Sequence, residues 1–353
     1  MWRFWIPAAL LMTALVVPAV CAQETSAPLI IRAYEGALLV YDGTSLERMD
    51  FCVPDEGETY SGFPLMFAPD ATRFAYLALT GSGNLSRIYV CDLSERALVP
   101  VEGQDDARIR SIPAWSPDGT RIAWNQVEES GANLQTVVYD FASGSSQVVY
   151  DRAEGSRAFV VPSVEWGQSG LAVYDELIPA GDAPYSVTIV NPDSAEARTI
   201  TLDANAQERR WATQGDMEYF VLNTEGSQIT VLDPITGSVE TVAGRLEQYS
   251  LTAADTSLGL SSIDGEWAVF GPDFNGGLGI GGHEYGATIA PDGQRIAFVT
   301  FEDFPFGGKA YVMDSFDSYP YTAAAIPGMD SARYGEPGAI YVFWGPVGTR
   351  IVE

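Results

Sequence analysis

Four stretches of this chain can be laid over one another. Trp115-Ser-Pro-Asp-Gly-Thr-Arg-Ile-Ala-Trp124 aligns without gaps with Phe67-Ala-Pro-Asp-Ala-Thr-Arg-Phe-Ala-Tyr76 and with Ile289-Ala-Pro-Asp-Gly-Gln-Arg-Ile-Ala-Phe298, and Trp344-Gly-Pro-Val-Gly-Thr-Arg-Ile-Val-Glu353 gives a fourth copy. Each copy spells a β-hairpin. An apolar strand ends at an aromatic or aliphatic residue, proline sets φ for the first corner of a tight turn, and aspartate bonds the turn backbone. Glycine accepts the positive φ that follows, and a second apolar strand leaves. Asp70, Asp118 and Asp292 are therefore turn residues before they are anything else.

The spacing of the copies predicts the architecture. Pro69 lies 48 residues before Pro117, Pro291 lies 55 before Pro346, and the 174 residues between Pro117 and Pro291 hold about four intervals of the roughly 40–50 residues common to propeller repeats. Degenerate copies are expected in that gap at Trp166–Tyr174, Thr213–Phe220 and Ala253–Leu260. A second repeat follows each hairpin, a β-rich run ending in an acid or turn residue: Ile88–Asp92, Val137–Asp140, Val187–Asn191, Ile229–Asp233, Trp267–Gly271 and Ala310–Asp314. A seventh such run, Leu38–Asp42, stands before the first hairpin, whereas the last hairpin has none after it. The two orphans fit if the ring closes by giving N-terminal strands to the last blade, which also removes exposed sheet edges. The expectation is an all-β propeller of seven four-stranded blades, with six as the fallback. The stretch 245–285, rich in glycine, is where a blade would be missing.

The Trp-Ser-Pro-Asp-Gly-Thr-Arg-Ile-Ala block resembles the WD40-like repeat of the periplasmic TolB family, and similar repeats occur in the propellers of prolyl-oligopeptidase-type peptidases and in oligogalacturonate lyases. The resemblance implies the fold across the mature chain and no particular activity. TolB-like proteins carry an α/β domain before a six-bladed propeller, and only a few residues separate the expected first strand from the leader here. The peptidases append a hydrolase domain, and no Gly-x-Ser-x-Gly elbow occurs in this sequence.

The first residues carry one positive charge and lead into an apolar run from Ile6 to Val20, shorter than the roughly 20 residues of a membrane helix. That pattern predicts a secretory signal over 1–22 with cleavage before Gln23, in preference to a lipid anchor at Cys21. Residues 23–353 are expected to form one propeller domain, a monomer with no transmembrane segment, in the periplasm or outside the cell. Net charge is −28 and the lone lysine is Lys309, so nucleic acid is excluded as a partner by long-range repulsion. An oxidising compartment permits a bridge between Cys52 and Cys91, each in a strand-like run, though two cysteines alone do not establish one.

Chemistry is sparse. His283 is the only histidine, so a Ser-His-Asp triad has one possible base and no nucleophile context, and the histidine cluster that the lyases use for metal is absent. Asp273-Phe-Asn-Gly-Gly277 lacks the spacing of a calcium loop, and Gly307-Gly-Lys309 is followed by alanine where a phosphate loop needs serine or threonine. No catalytic residue, cofactor or metal is assigned. Phe301, Phe304 and Phe306, set among acids and turn residues, together with His283, are the candidate partner-binding residues. The preferred function is a non-catalytic binding scaffold for an envelope or extracellular protein, or a glycan. The alternative is a propeller-type lyase or glycosidase using acidic residues at the central channel.

Overall fold

The structure, a computed structural model, describes residues 28–352 apart from 33–36, 62–63, 82–83, 153–160, 176–184, 203–208, 226–227, 254–255, 264–265, 272–273, 279–282, 304–306, 317–321 and 331–339. Among the described residues there is no α-helix, and the strands form antiparallel meanders. Residues 1–27, which hold the expected signal sequence, lie outside them.

In chain order the meanders are Leu29–Arg48, Glu58–Val99, Arg108–Asp151, Val164–Leu202, Arg210–Ala243, Arg245–Gly277 and His283–Asp330. Each is an up-and-down sheet, and in the second and third meanders the central strands are buried on both faces. Arg73–Thr80 and Arg121–Glu128 show why: Phe74, Ala75, Tyr76, Leu77 and Ala78 are all buried, as are Ile122 through Asn125. A strand covered on both sides reads as a continuous apolar run, not as an alternation. The covers are the neighbouring sheets. Ile30, Leu38 and Met49 of the first meander pack on Phe67, Phe74 and Tyr76 of the second, and Leu77 and Val90 of the second pack on Trp115 and Trp124 of the third. The series continues through Val138 with Leu171, Tyr174 with Phe220, Val221 with Leu246 and Leu260 with Phe298. Val299 and Ile326 of the seventh meander then pack on Leu29, Ile31 and Val342 of the first sheet. The chain of interfaces returns to its start, which makes the array a ring.

The N-terminal strands close it. Tyr341–Phe343 pairs antiparallel with Leu29–Arg32, Ile30 opposite Phe343 and Arg32 opposite Tyr341, so the first sheet has its innermost strand from the far end of the chain. The Leu38–Tyr41 strand is third in that sheet, as the orphan run required.

Two local expectations are corrected. The fourth copy of the repeat is not a hairpin. The strand before it, Tyr341–Phe343, stops just short of Trp344, and Val347–Val352 does not fold back onto that strand, because Leu29–Arg32 already holds that edge. Val347–Val352 pairs instead with Arg245–Ser250 and joins the fifth and sixth meanders into one nine-stranded sheet. The strand-like run around Cys52 is a 3-10 turn, Asp50–Cys52. It presents the cysteine inward, where Cys52 and Cys91 form a disulfide with Cα atoms 5.7 Å apart. The stretch 245–285, suspected of lacking a blade, carries the strands Arg245–Ser250, Gly259–Ile263, Glu266–Gly271 and Phe274–Gly277.

Candidate functional site

The repeat motif itself has a structural assignment. Asp70 Oδ1 accepts the Thr72 amide at 3.0 Å, Asp118 Oδ1 accepts the Thr120 amide at 3.0 Å, and Asp292 Oδ1 accepts the Gln294 amide at 2.8 Å. The acids ending the third strands repeat the device one turn further along each meander. Asp42, Asp92, Asp140 and Asp233 each accept backbone amides two or three residues ahead, and Asn191 does so in the fourth meander. Such bonds favour the ionised carboxylate. The Ser116 hydroxyl, followed by the Thr120 amide, lowers Asp118 to about 2, and the amides of Ser45 and Thr44 hold Asp42 far below the ordinary range. These carboxylates are turn caps.

The arginine of the motif reaches the next meander. Arg73 lies with its guanidinium carbon 5.0 Å from the centre of the Trp115 ring, Arg121 lies 5.2 Å from Trp166, and Arg295 lies 4.6 Å from Trp344. In each case the arginine of one copy covers the aromatic residue of the following copy. The indole returns the contact at two junctions: Trp115 Nε1 donates to the Met66 carbonyl at 2.7 Å, and Trp211 Nε1 to that of Glu165 at 3.1 Å. The sequence pattern contained both residues, but nothing local in it links residues about 45 apart. Where the fourth meander replaces the Pro-Asp turn by Gln168–Ser169, a cleft of about 230 Å³ opens beside Arg121, Trp166 and Asp193. Arg121 is already engaged there with Asp193 at 2.7 Å.

Glu165 is the described carboxyl whose affinity for a proton rises. Burial pushes it up to about 7, against the attraction of Arg210 and Arg209. It lies in the inner strand Val164–Gly167, in the junction between the fourth and fifth meanders. Among the described residues no cluster of histidine, cysteine, aspartate and glutamate is arranged to hold a metal ion.

Of the predicted partner-binding residues, His283 and Phe301 fall at one end of the seventh meander. His283 begins its first strand and stands directly opposite Phe301, near the end of its second. Phe304 and Phe306 lie outside the described residues. Connections in an antiparallel meander alternate between two ends of the sheet. The start of His283–Ile289, the end of Ile296–Asp303, the start of Gly307–Ser315 and the end of Thr322–Asp330 therefore share one end, while the Pro291-Asp-Gly turn lies at the other.

These features define a β-propeller. No family model and no curated protein matches the sequence. Solved structures similar to it include an oligogalacturonate lyase from Vibrio parahaemolyticus (TM-score 0.53, 14% identity, 83% of this chain and 92% of that one). They also include prolyl oligopeptidase B from Galerina marginata (TM-score 0.52, 12% identity, 83% of this chain and 47% of that one). TolB from Acinetobacter baumannii aligns with a TM-score of 0.44 and 14% identity over 92% of this chain and 66% of its own. The chain thus spans less than two thirds of TolB and about half of the peptidase, and at these identities the similarity is one of fold.

Proposed function

We propose that this propeller is an exported, non-catalytic binding scaffold that presents the loop end of its sheets to an envelope or extracellular protein, or to a glycan. The observation that carries this reading is the division of labour between the two ends of the meanders. At the Pro-Asp end, the recurring carboxylates are engaged by their own turns, which leaves them poor candidates for acid–base chemistry. At the other end, the strand ends Asp151 and Val164, Asp175 and Tyr185, and Asp330 and Tyr341 are separated by the longer stretches of sequence, and loops on a rigid frame are where binding surfaces concentrate. His283 and Phe301 mark that end on the seventh meander.

The test compares the intact protein with a variant carrying Phe301→Ala, Phe304→Ala and Phe306→Ala. Crosslinking in the native envelope or culture medium, alongside a glycan array, is expected to give a ligand that the intact protein retains and the variant loses, with thermal stability little changed. Retention of the same ligands by both proteins would overturn the assignment to this end. Depolymerisation of an oligosaccharide by the purified protein would overturn the non-catalytic reading.

A further inference from the structure

The strand Val347–Val352 is held almost entirely from one side. It pairs with Arg245–Ser250 at six successive positions, from Arg245 opposite Val352 to Ser250 opposite Val347. Towards the fifth meander it makes one pair, Thr213 with Arg350. Beneath it is Glu247, whose side chain is 3% exposed. Arg245 Nε and Nη2 donate to Glu247 Oε1 at 3.0 and 2.7 Å, and Arg350 Nε and Nη2 donate to Oε2 at 3.1 and 3.0 Å. The carboxylate sits in a recess that depends on Gly259, where a Cβ would fall 2.8 Å from Oε2. On the opposite side of the strand, Ile351 packs with Ala212, Val221 and Leu246.

The seam therefore reads a strand by its alternation, a guanidinium on one side and a branched aliphatic residue on the other. Arg245 neutralises the buried carboxylate but engages only one of its oxygens. Without a second guanidinium, Oε2 is a buried acceptor with no partner, which is costly, and the edge of Arg245–Ser250 is unpaired. We propose that the seam between the fifth and sixth meanders is a strand-binding site, filled here in cis by residues 347–352. Its ligand class is an extended peptide with an arginine followed by a β-branched aliphatic residue. Strand addition to such an edge takes affinity from the main chain and specificity from alternate side chains. The site is separate from the loop end and does not depend on its function.

The experiment uses the full chain with a protease site introduced in the link 331–339. Cutting frees the covalent tie to the last two strands, and the probe is a fluorescent synthetic peptide of residues 345–352. The cut protein is expected to take up the peptide saturably, and the affinity to fall about tenfold or more when Arg350 of the peptide is replaced by glutamine or when the ring carries Glu247→Gln. The uncut protein is expected to take up far less. Absence of uptake by a cut protein that stays folded, or uptake indifferent to both substitutions, would refute the site. If the cut protein loses its fold, hydrogen exchange on the intact chain decides. Glu247→Gln is then expected to speed exchange of the 347–352 amides at least tenfold while leaving Arg73–Thr80 unchanged, and equal protection in the two proteins would refute the proposal.

Discussion

Arg73 donates to the Gly119 carbonyl at 2.7 Å while its guanidinium carbon lies 5.0 Å from the Trp115 ring centre. One side chain thus fastens the second meander to both the turn and the aromatic residue of the third. Trp115 is 7% exposed and sits among Leu77, Val90 and Trp124. Trp115→Ala is expected to cost about 3–5 kcal/mol of unfolding free energy, and Arg73→Ala about 1–2 kcal/mol through lost packing and the cation–π contact. Urea denaturation of the two single variants and the double variant measures their coupling, expected at about 0.5–2 kcal/mol. Strict additivity would show that the pair is not a working contact.

The disulfide joins the turn after the first meander to the third strand of the second, across a sequence separation of 39. Both cysteines are fully buried, in the cluster that includes Met49 and Tyr76. Chain-entropy arguments give about 3–4 kcal/mol for a loop of this length. Chemical denaturation with and without a reductant should show a loss of that order, and the Cys52→Ala, Cys91→Ala double variant should show the same loss with no further response to the reductant.

Ala71 adopts φ 59° at the place where Gly119 has 71° and Gly293 has 67°. A β-carbon in the left-handed region is strained by about 1–2 kcal/mol, and glycine pays part of the relief back as unfolded-chain entropy. Ala71→Gly is therefore expected to stabilise the protein by about 0.5–1 kcal/mol in thermal or urea unfolding. Glycine has the opposite effect in an ordinary strand position, so a destabilised variant would show that the turn is not strained.

Asp118 is held at about 2, below its ordinary 3.8, first by the Ser116 hydroxyl and then by the Thr120 amide. A carboxyl depressed in the folded state contributes stability that is complete above its unfolded value and is lost as pH falls through the folded one. Asp140 and Asp233 are shifted the same way, by the Ser143 amide and the Thr236 hydroxyl respectively. Asn191 shows that an amide can make the same turn. Asp118→Asn should leave neutral-pH stability nearly unchanged and make unfolding free energy fall less steeply between about pH 4 and 2. A slope identical to that of the parent would remove Asp118 from the account of acid sensitivity.

Much of the fold was legible because turn chemistry is local. Pro-Asp-Gly and the terminal acids of Val137–Asp140 or Ile229–Asp233 specify their corners within five residues, and the degenerate copies at Trp166 and Thr213 form the hairpins expected of them. What local pattern leaves open is which edge a strand will join. Val347–Val352 matches the repeat as well as any strand, yet Leu29–Arg32 had taken its place beside Phe343. Only a count of strands per edge, with Glu247 waiting opposite Arg350, distinguishes the two outcomes. The Arg-to-aromatic contacts were hidden for a related reason, since Arg73 and Trp115 belong to different copies of the motif. At the candidate site, sequence named His283 and Phe301 but could not set them opposite one another, because register depends on the partner strand.

The pairing of Leu29–Arg32 with Tyr341–Phe343 also sets an order of assembly. Leu29–Arg32 precedes all the other strands of the ring yet has an unfilled edge until Tyr341–Phe343 has been made, so the first sheet is completed only after the seventh meander. Contacts of such sequence separation are slow to form, and a chain interrupted short of residue 341 would leave both that edge and the seam at Glu247 open to self-association.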